Sequence, residues 1–247
     1  MSARVSNSKL NNIGIHQTMP VSRYVVILYF FSGVTALGYE VLWARMLSLQ
    51  FGVSIFGVIV TVAAFMLGLG AGSLLMTRTR LAKRVVSKPL LLFAGLEAAV
   101  AIFALLLPAI ISVVDDLVMQ YAANNSLILW YVLQASSVIL ILFLPACALG
   151  ATFPLVLRVL SNTSITPGIL YGVNSTGGAL GALLPLLLLP LFGWSNSVTV
   201  VAMIGVTISL AAVSLHLLLH RNQSTEITGA SQDASSAVDI TASRATS

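Results

Sequence analysis

Long apolar runs, each about the length of one membrane crossing, dominate the sequence from residue 24 onwards. A helix needs about 20 apolar residues to cross a hydrocarbon core about 30 Å thick, because each helical residue rises about 1.5 Å. This pattern predicts an all-α fold, a polytopic transmembrane helix bundle of about six spans. The runs that meet the length are Tyr24–Ala44, Val53–Met76, Pro89–Val114, Leu127–Leu157, Ile169–Phe192 and Val198–Leu219.

The same pattern predicts three parts along the chain. Residues 1–22 form a polar cytoplasmic N-terminal tail, and residues 23–220 form the transmembrane helical domain. Residues 221–247 form a cytoplasmic tail rich in Ser, Thr and Ala without apolar periodicity, for which we expect disorder. Pro145 and Pro154 fall within the fourth run, where we expect a kink or a cytoplasmic extension.

Composition supports lipid as the solvent of this chain. Only 8% of the 247 residues are charged, 58% are hydrophobic, and the mean hydropathy is +1.01. A water-soluble domain has roughly a quarter of its residues charged. We therefore expect the lipid bilayer itself to be the main partner of the chain.

The distribution of basic residues predicts the orientation. With an even number of spans, Arg45 is the one basic residue of 12 assigned to the outer side, where Asp115 and Asp116 also lie. The positive-inside rule then places both termini in the cytoplasm. Because the cations flank apolar runs instead of lining a folded face, the net charge of +5 does not indicate a nucleic-acid partner. The eleven cytoplasmic cations are Arg4, Lys9, Arg23, Arg78, Arg80, Lys83, Arg84, Lys88, Arg158, Arg221 and Arg244.

The residue types that usually carry chemistry are sparse. Cys147 is the single cysteine, so a Cys-based metal site is excluded. His16, His216 and His220 show no metal-ligand spacing, and no Ser, His and acid residues come together around a nucleophile elbow. The sequence therefore predicts no catalytic, metal-binding or cofactor-binding residue, and no cofactor.

Glycines in two spans have two interpretations. Gly68, Gly70 and Gly72 form a G-x-G-x-G, but a nucleotide loop would need a preceding strand and an acidic residue about 20 positions later. Within an apolar helix, Gly68 with Gly72, and Gly177 with Gly181, form small-residue stripes that let two helices approach closely. We favour helix packing for both stripes.

Charged residues inside apolar spans are costly unless they are paired, so they indicate candidate sites. Glu97 lies about 12 Å into the third span, and Asn174 and Tyr171 lie at a comparable depth in the fifth. These three predict a polar cluster, which could be a structural clamp or part of a path for a cation or proton. Glu40 and Arg45 predict an ion pair at the outer end of the first span, either structural or part of an outer gate.

Several short motifs lie in order between residues 24 and 218. As a set, they resemble the membrane domain of bacterial spermidine-synthase-like proteins, of the fused major-facilitator and spermidine-synthase type. The motifs are Tyr39-Glu40-Val41-Leu42-Trp43-Ala44-Arg45, Phe51-Gly52-Val53-Ser54, Phe65-Met66-Leu67-Gly68 with Gly72, Leu96-Glu97, Gly150-Ala151-Thr152-Phe153-Pro154, Tyr171-Gly172-Val173-Asn174 with Gly177, and Leu189-Pro190 with Gly193.

The resemblance implies a place in the bacterial inner membrane and a connection with polyamine-related enzymes. Fused relatives continue into a soluble aminopropyltransferase-like domain, whereas the resemblance here covers only the membrane spans. No catalytic residue can therefore be carried over. We expect a non-catalytic inner-membrane module that anchors or serves a separate partner, such as a soluble aminopropyltransferase-like enzyme.

Two alternatives remain open. One is a small transporter of a cationic, polyamine-like substrate that works as a homo-oligomer, because six spans resemble half of a major facilitator. The other is an enzyme that acts within the membrane.

Overall fold

The computed structural model describes residues 3–50, 55–78, 88–122 and 127–245, which form five α-helices and contain no β-strand. The all-α fold class predicted from the sequence is confirmed. The motif at residues 51–54 and the basic residues Arg80, Lys83 and Arg84 lie outside the described residues. The helices are α1 (Ala3–Gln50), α2 (Ile55–Arg78), α3 (Pro89–Ala122), α4 (Leu127–Val159) and α5 (Pro167–Ala245).

All five helices are long and apolar enough to cross a membrane, so the described residues contain five such helices where the sequence predicted six spans. The difference lies in α5, which contains both of the last two predicted spans. Its one non-helical residue is Gly193, with φ 71° and ψ −173°. The chain is helical on both sides of Gly193, and the Asn196 and Ser197 side chains donate to the carbonyls of Phe192 and Gly193. No separate loop therefore divides the two runs.

At Gly193, α5 folds back on itself. Leu170 and Ala212 belong to the same buried cluster, although a straight helix would hold them about 63 Å apart. A methyl group on Gly38 of α1 would lie 3.4 Å from Val201 Cγ1 and 3.5 Å from the Gly181 carbonyl oxygen. The two arms of α5, residues 167–192 and 194–221, thus lie side by side against α1.

Two buried clusters fill the interior and define two ends of the bundle. One contains Val25, Leu90, Val156 and Leu170, and the other contains Trp43 together with residues from the far ends of the same helices. We call the first the basic end, because four cations lie beside it in the chain: Arg23, Lys88, Arg158 and Arg221. Arg45 lies within the opposite end, between buried Trp43 and Leu47.

The C-terminal segment differs from its prediction. Where the sequence predicted a disordered tail over residues 221–247, α5 continues as a helix to Ala245. Residues 221–245 contain no proline and only one glycine, Gly229, so few positions strongly oppose helix formation. Likewise, α4 runs through Pro145 and Pro154 to Val159, so the extension expected there belongs to the same helix.

Glycines lie where helix backbones meet. A methyl group on Gly68 would overlap the Ala146 side chain, and one on Gly72 would overlap the Cys147 carbonyl oxygen, both on α4. A methyl group on Gly70 would meet nothing within 4 Å. In the same way, methyl groups on Gly177 and Gly181 of α5 would overlap carbonyl oxygens of α1. Both stripes thus lie at helix contacts, which accounts for their glycines without a nucleotide.

Candidate functional site

Glu97 lies in the interior of the bundle, with only 1% of its surface exposed. It follows the start of α3 by about two helical turns, at a level where the backbone of α3 meets the second arm of α5. A methyl group on Gly205 of that arm would lie 3.3 Å from Ala101 Cβ and 4.0 Å from the Glu97 carbonyl oxygen. The glycine therefore lets the two helices approach at the level of the carboxyl group.

The hydrogen-bond partner of Glu97 comes from α1. The buried Ser32 hydroxyl donates to Glu97 Oε1, and the Thr35 hydroxyl donates to the Ser32 carbonyl at 3.0 Å. Glu97 pairs with no described Lys or Arg side chain. The carboxyl group is thus held by a hydroxyl group within a closed helix contact.

Two buried tyrosines of α1 lie on either side of Ser32 along the helix and add polar groups near Glu97. Tyr39 donates to the Val201 carbonyl on α5 at 3.3 Å, and Tyr29 lies beside Thr152 on α4. Both tyrosines lie close enough to the Glu97 carboxyl to interact with it electrostatically. We call Tyr29, Ser32, Tyr39, Glu97 and Thr152 the Glu97 cluster.

One hydrogen bond outside this cluster reinforces the same helix contact. Ser209 on the second arm of α5 donates to the Ala94 carbonyl on α3 at 2.8 Å, about one turn from Glu97. Ser209 is itself buried. The α3–α5 contact therefore carries its own polar link next to the carboxyl group.

The predicted cluster of Glu97 with Asn174 and Tyr171 is not present among the described residues, because Glu97 bonds to Ser32 instead. The half-buried Asn174 packs on Gly33, where a methyl group would overlap its carbonyl oxygen, while Tyr171 is 65% exposed. Successive residues of a helix point about 100° apart, so Gly33 faces the first arm of α5 while Ser32 faces Glu97. The depth of the three residues was similar, but their directions differ.

Glu40 and Arg45 do not form the predicted ion pair with each other. Both lie on α1, where Glu40 is half-buried and Arg45 is exposed. Residues five apart in a helix point about 140° away from one another, whereas pairs three or four apart meet. The nearness of two opposite charges in the sequence was therefore misleading here.

Sequence reasoning missed Ser32 as the partner of the buried carboxyl, Tyr29 as a neighbour in electrostatic range, and Thr152 as the residue beside Tyr29. A signal was present: Tyr29, Ser32 and Tyr39 recur at helical spacing in an otherwise apolar run. Three polar side chains on one face of a membrane helix indicate a face that turns towards the interior. Thr152 had no such signal, because serine and threonine in apolar helices commonly bond their own backbone. Its hydroxyl does donate to the Leu149 carbonyl at 2.6 Å.

The arrangement is suited to holding helices together, or to holding one proton or cation. In the described part of the chain, no group of three His, Cys, Asp or Glu residues could bind a metal ion. The next carboxyl group on α3 is Asp115, about 27 Å along the helix from Glu97. Glu97 and Asp115 therefore cannot act together on one reacting group.

Comparisons with known proteins found no matching family model, no similar curated protein and no similar solved structure.

Proposed function

We propose that this chain is a membrane module that anchors or serves a separate protein and performs no catalysis with its own side chains. The observation that carries the proposal is the way in which the Glu97 cluster is paired. Its hydrogen bonds join Ser32 to α3 and Tyr39 to α5, and Tyr29 meets Thr152 of α4. Because α1 holds three other helices through polar groups that face each other, the cluster acts as a clamp at the centre of the module.

The resemblance to membrane domains of spermidine-synthase-like proteins supports a polyamine-related enzyme as the partner. A soluble aminopropyltransferase-like enzyme at the inner membrane of a bacterium is the partner that we propose. The basic end of the bundle, with Arg23, Lys88, Arg158 and Arg221, would face the cytoplasm under the positive-inside rule. A cytoplasmic enzyme would dock at this end of the bundle.

Gentle detergent extraction tests the proposal. We expect an affinity-tagged chain to retain a soluble protein with aminopropyltransferase activity, and the purified chain alone to release no methylthioadenosine from decarboxylated S-adenosylmethionine and putrescine. An unrelated multi-pass protein with the same tag is the control. Turnover by the chain alone that disappears in Glu97→Gln would contradict the non-catalytic role.

A second candidate function is transport of a small cation as a homo-oligomer. The observation that favours it is a single carboxyl group at the centre of the bundle, in electrostatic range of two tyrosines. Such groups commonly mark ion or proton pathways in membrane proteins. Spermidine or proton flux into proteoliposomes that is lost in Glu97→Gln and kept in Glu40→Gln would favour transport over anchoring. Equal leakage with and without protein would reject it.

A further inference from the structure

A small cavity lies near the end of the bundle opposite the basic end, between α1, α3 and α4. Its volume is about 10 Å³, which is the space of one water-sized particle. Leu47, Ile111 and Val138 contribute apolar walls, and all three belong to the buried cluster of that end. Three polar side chains share the lining: Asp115, Gln134 and Ser137.

Gln134 has a buried side-chain oxygen next to this cavity. The residue is only 4% exposed, and its Oε1 atom has no hydrogen-bond partner among the described residues. Buried polar atoms in folded proteins nearly always have a partner, because leaving one unpaired forfeits its hydration without compensation. An unpaired amide oxygen beside a cavity of this size therefore points to a small ligand.

The cavity is rich in acceptors. The Ser137 hydroxyl donates its proton to the backbone carbonyl of Gln134 at 2.8 Å, so only its lone pairs remain for a ligand. The Gln134 Oε1 atom is also an acceptor, and an ionised Asp115 carboxyl accepts only. Oxygen atoms from three side chains therefore line the cavity as acceptors, an arrangement that suits a positive charge.

We propose that Asp115, Gln134 and Ser137 bind one monovalent alkali cation, Na⁺. Carboxylate, amide and hydroxyl oxygens are the ligands that hard cations prefer. One carboxylate balances one positive charge, whereas Ca²⁺ usually takes six to eight oxygen ligands. The bound cation joins α3 to α4 near the end of the bundle opposite the basic end. Because it binds only the folded chain, it stabilises the folded state by mass action.

Thermal unfolding of the purified full-length chain in detergent tests the site. Unfolding is followed in NaCl, KCl and choline chloride at equal ionic strength. We expect the Tm to be highest in NaCl, and the difference from choline chloride to be lost in Asp115→Asn and Gln134→Leu. The control is Asp116→Asn, which removes the same charge from the exposed neighbouring position and keeps the Na⁺ effect.

The outcomes separate a cation from water. Equal Tm values in all three salts would mean that the cavity holds water only, and would overturn the proposal. A Na⁺ effect that persists in both variants would overturn the assignment of the ligands. If Asp115→Asn does not fold, ²³Na line broadening decides: the wild-type chain broadens the signal, and Gln134→Leu and Ser137→Ala weaken the effect. A wild-type chain that leaves the ²³Na line unchanged would also overturn it.

Discussion

Glu97 loses its hydration when α3 packs into the bundle, and a buried carboxyl group is costly unless hydrogen bonds replace the lost water. The Ser32 hydroxyl supplies such a bond. A serine hydroxyl can also turn back to the carbonyl four residues earlier in its own helix, whereas the carboxyl group has no spare backbone donor nearby. The two partners are therefore unequal: Ser32 can lose Glu97 at little cost, but Glu97 needs Ser32.

This asymmetry predicts the effect of substitutions at the residue scale. We expect Ser32→Ala to lower the free energy of unfolding by about 1–3 kcal/mol, because it leaves a buried acceptor unpaired. The double variant Ser32→Ala with Glu97→Leu should recover part of that loss, because both polar groups are then gone. Thermal unfolding in detergent measures both, with Ser214→Ala at an exposed helical position as the control. A double variant less stable than Ser32→Ala alone would contradict the pairing.

At the element scale, α1 is the helix around which the others are arranged. One of its faces carries Gly33 and meets the first arm of α5, while another carries Ser32 and Tyr39 and meets α3 and the second arm. The α2–α4 contact instead depends on glycine at Gly72. Hydrogen bonds join α1 to α3 and to the second arm of α5, whereas close backbone contact joins α1 to the first arm and α2 to α4.

The α2–α4 contact can be tested with two glycines of the same helix. Gly72→Ala places a methyl group on the Cys147 carbonyl oxygen, so we expect a loss of about 1–3 kcal/mol in unfolding free energy. Gly70→Ala enters open space and should be neutral or raise stability by up to about 1 kcal/mol, because alanine favours helix. Detergent thermal stability compares the two variants. Equal effects would mean that the close contact does not limit stability.

The fold-back of α5 depends on one backbone conformation. Gly193 has φ 71° and ψ −173°, a region that residues with a Cβ atom rarely adopt. We expect Gly193→Ala to lower the free energy of unfolding by about 1–3 kcal/mol, although a methyl group there would meet no atom within 4 Å. Gly168→Ala, near the exposed start of α5, is the matched control for a helix glycine. Unchanged stability of Gly193→Ala would show that the bend does not require this conformation.

For the whole molecule, the bend in α5 brings residues of both its arms to the basic end of the bundle. Leu170 and Ala212 lie in one buried cluster, and the described cations Arg23, Lys88, Arg158 and Arg221 are close in sequence to residues of that cluster. This distribution is what a cytoplasmic basic end requires. The orientation in a membrane is a prediction that labelling of single cysteines can test.

Single cysteines are placed in a background where Cys147, the one native cysteine, is replaced by alanine. We expect cysteines at Ser87 and Ser231 to resist a membrane-impermeant thiol reagent in intact cells, and one at Asn124 to react. Permeabilised cells, in which all three should react, provide the control. Labelling at Ser231 but not at Ser87 would mean that the start of α3 and the C-terminal part of α5 lie on different sides.

The apolar runs by themselves determined the fold class, because in lipid only a helix satisfies the backbone of a single apolar segment. They also identified Glu97 as a residue that turns inwards, since an ionisable group at that depth cannot face lipid cheaply. Both conclusions follow from transfer energies, which depend on local composition and on length. The spacing of small residues likewise indicates, from the sequence alone, that the stripes containing Gly72 and Gly181 are packing surfaces.

Only the tertiary structure decided which side chains each polar residue contacts. The choice of Ser32 over Asn174 depends on how α1 is rotated between α3 and α5, and a rotation of about 100° exchanges one face for the next. The helical bend at Gly193 and the unpaired Gln134 oxygen likewise depend on contacts between segments distant in the chain. Periodicity gives depth along each helix, but the angle around each helix is set by its neighbours.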